Sequence, residues 1–190
     1  KSIEEVEQVV AELSGDDDPI AATIILQGSS NLEAAARALA ALWRTKDTRG
    51  AEAIMGLDLT RAATLIDIMV ENLGDTEAAI ALVNMSEPGR MVGVAEFVLP
   101  YYLRSVVYNG VEILRVVAQR NAKVAKVIYA GLKQEEQVSI LRRSSLGFGA
   151  RPGVEKPEEK PEPDVNLAAL FLTGLPPSAA VEVLRTFSTS

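Results

Sequence analysis

The sequence predicts an all-α protein: a solenoid-like or compact superhelical array of short helices, closed by a tethered helical hairpin at the C-terminal end. Three observations predict it. Hydrophobic residues make up 48% of the chain but aromatics only 5%, so any core is built from Ala, Leu, Val and Ile. Apolar residues recur at helical spacing, and strict apolar–polar alternation is nearly absent. Apolar anchors also return at Ile25, Leu39, Ile54, Ile68 and Leu82, in steps of 14, 15, 14 and 14 residues, and continue at Val98, Ile113, Ile128 and Leu141.

The elements follow in order. Residues 2–13 carry apolar side chains at 3, 6, 9, 10 and 13, with Ser2 as N-cap and Glu5 three residues on, the pattern of a capping box. Ser14 to Pro19 ends this helix, and Asp18 with Pro19 starts the next. Breakers then fall between the anchors at Gly28-Ser29-Ser30, Lys46-Asp47-Thr48, Gly56 to Thr60, Gly74-Asp75-Thr76 and Ser86 to Gly89. Each unit is thus one helix of about 10 residues and a tight connection. Such a helix is marginal alone and must bury its apolar stripe against its neighbours, so the units stack. Abundant Ala lets the helix axes approach closely.

Three segments are expected: a helical-repeat domain over 1–150, a tether over 151–165 and a hairpin over 166–190. The tether holds Pro152, Pro157, Pro161 and Pro163 and seven charged residues between Glu155 and Asp164, a composition that cannot bury a core. Beyond it, Leu167, Leu170 and Phe171 precede Gly174-Leu175-Pro176-Pro177, and Ala179, Val183 and Leu184 follow. This hairpin is too apolar for a solvated tail and is expected to dock on its own array or on another chain. A spacer before it raises the effective concentration of that contact.

Composition narrows the chemistry. The chain has no Cys and no His, which excludes cysteine nucleophiles, Ser-His-Asp triads, histidine bases and zinc sites of Cys or His within it. Its 26 acidic and 19 basic residues give a net charge of -7, which opposes non-specific nucleic-acid binding. The nearest thing to a basic cluster, Arg142-Arg143 with Lys133 and Arg151, reads as a solvated helix end. No stretch offers the apolar length of a membrane span. Lys1 stands where Met is expected, so the chain reads as a fragment or processed form, located in a soluble compartment or beside a membrane complex.

The candidate motifs read mostly as structure. Asp16-Asp17-Asp18 carries carboxylates suited to Mg²⁺ or Ca²⁺, yet consecutive residues do not converge on one ion, and a helix-start cap accounts for them. Gly147 to Gly153 lacks the Lys-Ser/Thr of a P-loop and follows no strand. Acidic pairs such as Glu135-Glu136 lie on amphipathic helices without a partner base. No catalytic, cofactor or metal residues are therefore assigned. Trp43, Tyr101 and Tyr102 read as core lids or as interface anchors, since aromatic side chains serve both roles. With Leu170, Phe171, Leu175 and Leu184 of the hairpin they form the candidate partner-binding set.

Three stretches resemble one another: Ile54 to Leu65, Leu82 to Ala95 and Leu172 to Leu184. Each runs apolar residue, two spacers, Leu or Met, a short turn, then a small or apolar pair and another helix. The phrase is similar to the short helical repeats of the N-terminal cytosolic domain of MgtE-type magnesium transporters, of the flagellar motor switch protein FliG and of the chaperone MotE. Residues 97–126, with Pro100, Tyr101, Tyr102 and Tyr108, depart from it. The resemblance implies a non-catalytic, superhelical interaction or regulatory domain and, in the transporter case, Mg²⁺ sensing through acidic side chains. The expected function is a scaffold or assembly subunit that binds other protein subunits in a large complex or homo-oligomer. The alternative is a Mg²⁺-sensing regulatory domain of a transporter.

Overall fold

A computed structural model of the chain describes residues 19–45, 47–85, 110–145 and 165–189, together with Ser2, Glu4, Glu5 and Gln8. Among the described residues there are ten helices of 9 to 14 residues and no strand. They are α1 (Pro19–Gly28), α2 (Leu32–Thr45), α3 (Asp47–Gly56), α4 (Leu59–Glu71), α5 (Thr76–Met85), α6 (Gly110–Arg120), α7 (Ala122–Gly131), α8 (Gln134–Ser145), α9 (Val165–Thr173) and α10 (Pro177–Thr189). Ser2 and Glu5 form the expected capping box: the Ser2 N–H donates to Glu5 Oε2 at 3.0 Å, and the Glu5 N–H donates to Ser2 Oγ at 3.2 Å. The chain divides into two compact units, Lys1–Val124 and Ala125–Ser190. Of the expected tether over 151–165, only Val165 is described, and it opens α9.

Short side chains with a carbonyl or carboxylate oxygen start the helices. Asn31 Oδ1 accepts from the Ala34 N–H at 3.0 Å, Asp58 Oδ1 from Arg61 at 2.8 Å, Asp75 Oδ1 from Ala78 at 3.3 Å and Asn121 Oδ1 from Val124 at 3.3 Å. Each satisfies a donor that the first helical turn leaves without a partner. α10 instead begins with Pro177, whose missing N–H costs nothing at that position. α4 is followed by a turn through Gly74, the one described residue with positive φ (66°). Its left-handed backbone turns the chain so that the Asp75 N–H reaches back six residues to the Met69 carbonyl at 2.7 Å. Asp75 therefore closes one helix with its backbone and opens the next with its side chain.

In the first unit α2 packs on α1, α3, α4 and α5, α3 on α1 and α5, and α4 on α5 and α6. The buried face of α2 is Ala34, Ala35, Ala36, Ala38, Leu39, Ala40 and Leu42. Methyl groups in place of longer side chains bring the neighbouring backbones close. At Gly50 of α3 an added Cβ would lie 2.8 Å from the Trp43 Cα. The expected anchors Leu39, Ile54, Leu82 and Ile113 are fully buried. Ile25 and Ile68 are only half-buried, and Leu26, Leu65, Ile66 and Met69 fill the core in their place. A repeat length gives spacing but not phase: one residue turns a helix by about 100° and exchanges an inner side chain for a flanking one.

Two polar ties hold helix ends in the first unit. The Arg61 guanidinium on α4 donates to the Leu26 carbonyl from Nε (2.9 Å) and Nη2 (2.7 Å), and to the Ser29 carbonyl from Nη2 at 2.5 Å. It thus covers carbonyls that α1 cannot satisfy internally and opposes the negative end of that helix. Beside it, the Asp58 N–H donates to Gln27 Oε1 at 3.0 Å, and Gln27 Nε2 donates to Asp58 Oδ2. The second tie joins Arg44 of α2 to Asp75: Arg44 Nη2 lies 2.6 Å from both carboxylate oxygens. Both pairs, Gln27 with Asp58 and Arg44 with Asp75, are separated by 31 residues, and each joins the last turn of one helix to the N-cap of the third helix after it.

In the second unit α9 and α10 both pack on α8. The Tyr129 and Phe171 rings stack at 4.6 Å between centroids with 9° between planes, and both are fully buried. The Tyr129 hydroxyl donates to the Gln137 carbonyl at 3.0 Å, and Gln137 Nε2 returns a bond to the Tyr129 carbonyl at 3.0 Å. Leu167, Leu175 and Val183 complete the buried side of the hairpin. Gln134 Nε2 donates to Thr186 Oγ1 at 3.0 Å, and the Arg142 guanidinium sits 6.0 Å from the Phe187 ring centroid. At the α9–α10 turn, Gly174 lies against Lys126, whose Cβ would be 2.9 Å from an added methyl group.

Candidate functional site

The partner-binding candidates read from the sequence do not form one site. Phe171 and Leu175 are inside the second unit, so their apolar surface is spent on packing, Phe171 above all through its stack on Tyr129. Leu170 is half-buried on α9. Leu184 is 43% exposed on α10, beside Val181 at 64%, while Val183 between them is buried. Positions 181 and 184 are three apart and share a helix face, so this pair forms an outward apolar spot whose opposite side faces α8. Val181 was no candidate in the sequence, although its spacing from Leu184 was there to be read. Trp43 is half-buried near the C-terminal end of α2, in the first unit, with the Arg44 guanidinium 5.8 Å from its ring centroid. Tyr101 and Tyr102, Asp16 to Asp18 and Gly147 to Gly153 lie outside the described residues.

A cleft in the first unit was not anticipated. It has a volume of about 420 Å³ and lies between the exposed Arg37, Ala41 and Arg44 of α2, with buried Ala40 at its base, and the turn of residues 73–75. Spacing of 37, 40, 41 and 44 puts these four on one helix face, with two arginines two turns apart around an alanine floor. That pattern was legible, but the wall is not: it comes from the glycine turn after α4, brought against α2 by packing. Arg37 donates to Glu33 Oε1 at 3.0 Å and Arg44 to Asp75, and among the described residues no further acceptor engages either guanidinium. The Asp75 carboxylate, in contrast, is held by Arg44 and by the α5 cap.

Among the described residues, half-buried Arg61 and fully buried Tyr129 titrate away from their ordinary ranges. Burial lowers the Arg61 guanidinium below its usual value, against the opposing pull of the Asp58 carboxylate. Burial pushes the Tyr129 phenol up, because ionising it in its apolar setting is costly. Both are packing groups, enclosed by helix ends or rings rather than open to a ligand. Among the described residues no three acidic side chains gather closely enough to hold a metal ion, and no helix is long and apolar enough to cross a membrane. Comparison with protein-family models, with curated proteins and with solved structures finds no match to this chain.

Proposed function

We propose that the chain is a non-enzymatic interaction module, a scaffold or assembly subunit of the kind implied by the short-helix repeats of the MgtE N-terminal domain, FliG and MotE. The observation that carries the reading is the outward pair Val181 and Leu184 on α10, 64% and 43% exposed, while Leu167, Phe171, Leu175 and Val183 pack inward and Leu170, Leu172 and Phe187 lie half-buried. Exposed apolar side chains on a rigid helix are suited to a partner surface, and the stacked short helices supply that rigidity. The buried groups serve packing: the Tyr129–Phe171 stack and the Arg61 tie hold helices in place.

Removing residues 165–190 is a poor test, because it uncovers Tyr129. The sharper perturbation is Val181→Ser with Leu184→Ser, which leaves the inner face of α10 intact. Tagged wild-type and doubly substituted chains are recovered from the native source and their stoichiometric partners identified by mass spectrometry. A partner present with the wild type and lost with the double variant supports the reading. An identical set of partners with both chains, or none with either, counts against it.

A further inference from the structure

From the cleft on α2 we propose a recognition site for an acidic peptide segment of a partner protein, with its carboxylates held by Arg37 and Arg44. The inference deepens the interaction reading by naming the chemistry of a partner, and it rests on that reading. Four features of the cleft support it. Its volume, about 420 Å³, lies within the range of natural ligand pockets and suits a few residues of peptide. Its longest side chains are donors: each guanidinium carries five N–H groups, and Arg37 and Arg44 each commit one nitrogen to a carboxylate. The acceptor beside them, Asp75, is already held by Arg44 and by the Ala78 N–H. The floor between the arginines is Ala40 and Ala41, small enough to let a peptide backbone lie close to α2.

Geometry sets the register of the occupant. Residues 37 and 44 are seven positions apart on α2, a rise of about 10.5 Å. An extended peptide turns every second side chain to the same face, about 6.6 Å apart. Carboxylates two residues apart therefore face α2 together, and the long, flexible arginine side chains close the remaining few ångströms. The Arg37–Glu33 pair lies on the open surface, where ion pairs are weak, so Arg37 is readily recruited. Arg44 keeps Asp75 and offers its other nitrogens, which holds the guanidinium in a fixed orientation before the peptide arrives.

The test uses the full chain and a fluorescein-labelled peptide of alternating Glu and Ala, with its Gln-for-Glu counterpart as control, read by fluorescence anisotropy. The Glu peptide is expected to bind roughly tenfold tighter than the Gln peptide, a preference that salt reduces and that R37Q/R44Q abolishes. Equal binding of the two peptides overturns the proposal, as does an unchanged preference in R37Q/R44Q. Should that variant lose its helical circular-dichroism signal, R37Q alone decides, since it leaves the Arg44–Asp75 tie in place. It is expected to cut the preference roughly threefold, and no change overturns the proposal. A single-stranded oligothymidine that displaces the peptide and binds more tightly through the same arginines also overturns it, in favour of a nucleic-acid site. Failure of the peptide experiment leaves the partner recovery that depends on Val181 and Leu184 untouched, so the two readings fall separately.

Discussion

Replacing Phe171 by Ala examines the core of the second unit directly. Phe171 is fully buried and stacked on Tyr129, so the substitution takes a ring out of a packed site and leaves a void over the phenol. A void of about 90 Å³ at about 24 cal/mol per Å³ costs about 2 kcal/mol, and the lost transfer energy of the ring adds about 2 kcal/mol more. The expected cost is therefore about 4 kcal/mol, within the range of about 3 to 5 kcal/mol found for buried aromatic truncations. Because Phe171 is the largest fully buried side chain of the hairpin, the loss is expected first in local protection of α9 and α10. Hydrogen exchange read by mass spectrometry over residues 165–189 is the assay. A change of about 4 kcal/mol corresponds to about a thousandfold faster exchange. Phe171→Leu, which keeps most of the apolar volume, is the comparator and is expected to cost about 1 to 1.5 kcal/mol. Equal, small effects of the two substitutions, below about 1 kcal/mol each, refute the packing argument and return Phe171 to the outer surface.

Three further outcomes follow from the geometry. Gly50→Ala drives a methyl group into the Trp43 backbone at 2.8 Å and is expected to lower stability by about 1 to 3 kcal/mol in urea unfolding, although Ala is the better helix former. Asp58→Ala removes the α4 cap and the bond from Gln27 together and is expected to cost about 1 to 2 kcal/mol; Asp58→Asn, which still caps, is expected to cost less, and thermal melts of the two variants are the check. The raised Tyr129 ionisation gives a pH dependence with a definite sign. The unfolded phenol releases its proton near pH 10 and the folded one only at higher pH, so stability is fully present below about pH 10 and falls above it. The slope approaches about 1.4 kcal/mol per pH unit, and Tyr129→Phe is expected to remove that component from alkaline unfolding curves.

What the sequence disclosed was local. Gly28 and Gly56 each end a helix, Gly74 turns the chain between two, and Leu39, Ile54 and Leu82 are core residues, because breakers and apolar stripes act within a few residues of themselves. The phase at residues 25 and 68 was misjudged by one position, since the choice between Ile25 and Leu26, or Ile68 and Met69, is made by the helix opposite. Tyr129 shows the same limit from the other side. It follows the anchor Ile128 directly, but only the fold brings Phe171 against it, 42 positions on. The cleft divides in the same way. Its arginines share a readable helix face, whereas Leu73 and Asp75 reach it through packing.

The two ties of equal length, Gln27 to Asp58 and Arg44 to Asp75, bear on how this region tolerates change. The two spans overlap between residues 44 and 58, so one added or deleted residue there would throw both out of alignment at once. Point substitutions on the outer faces meet no such double constraint. Natural variation in this part of the chain is therefore expected to proceed by exchange of side chains at constant length, and engineered tags or inserted loops belong outside residues 27–75.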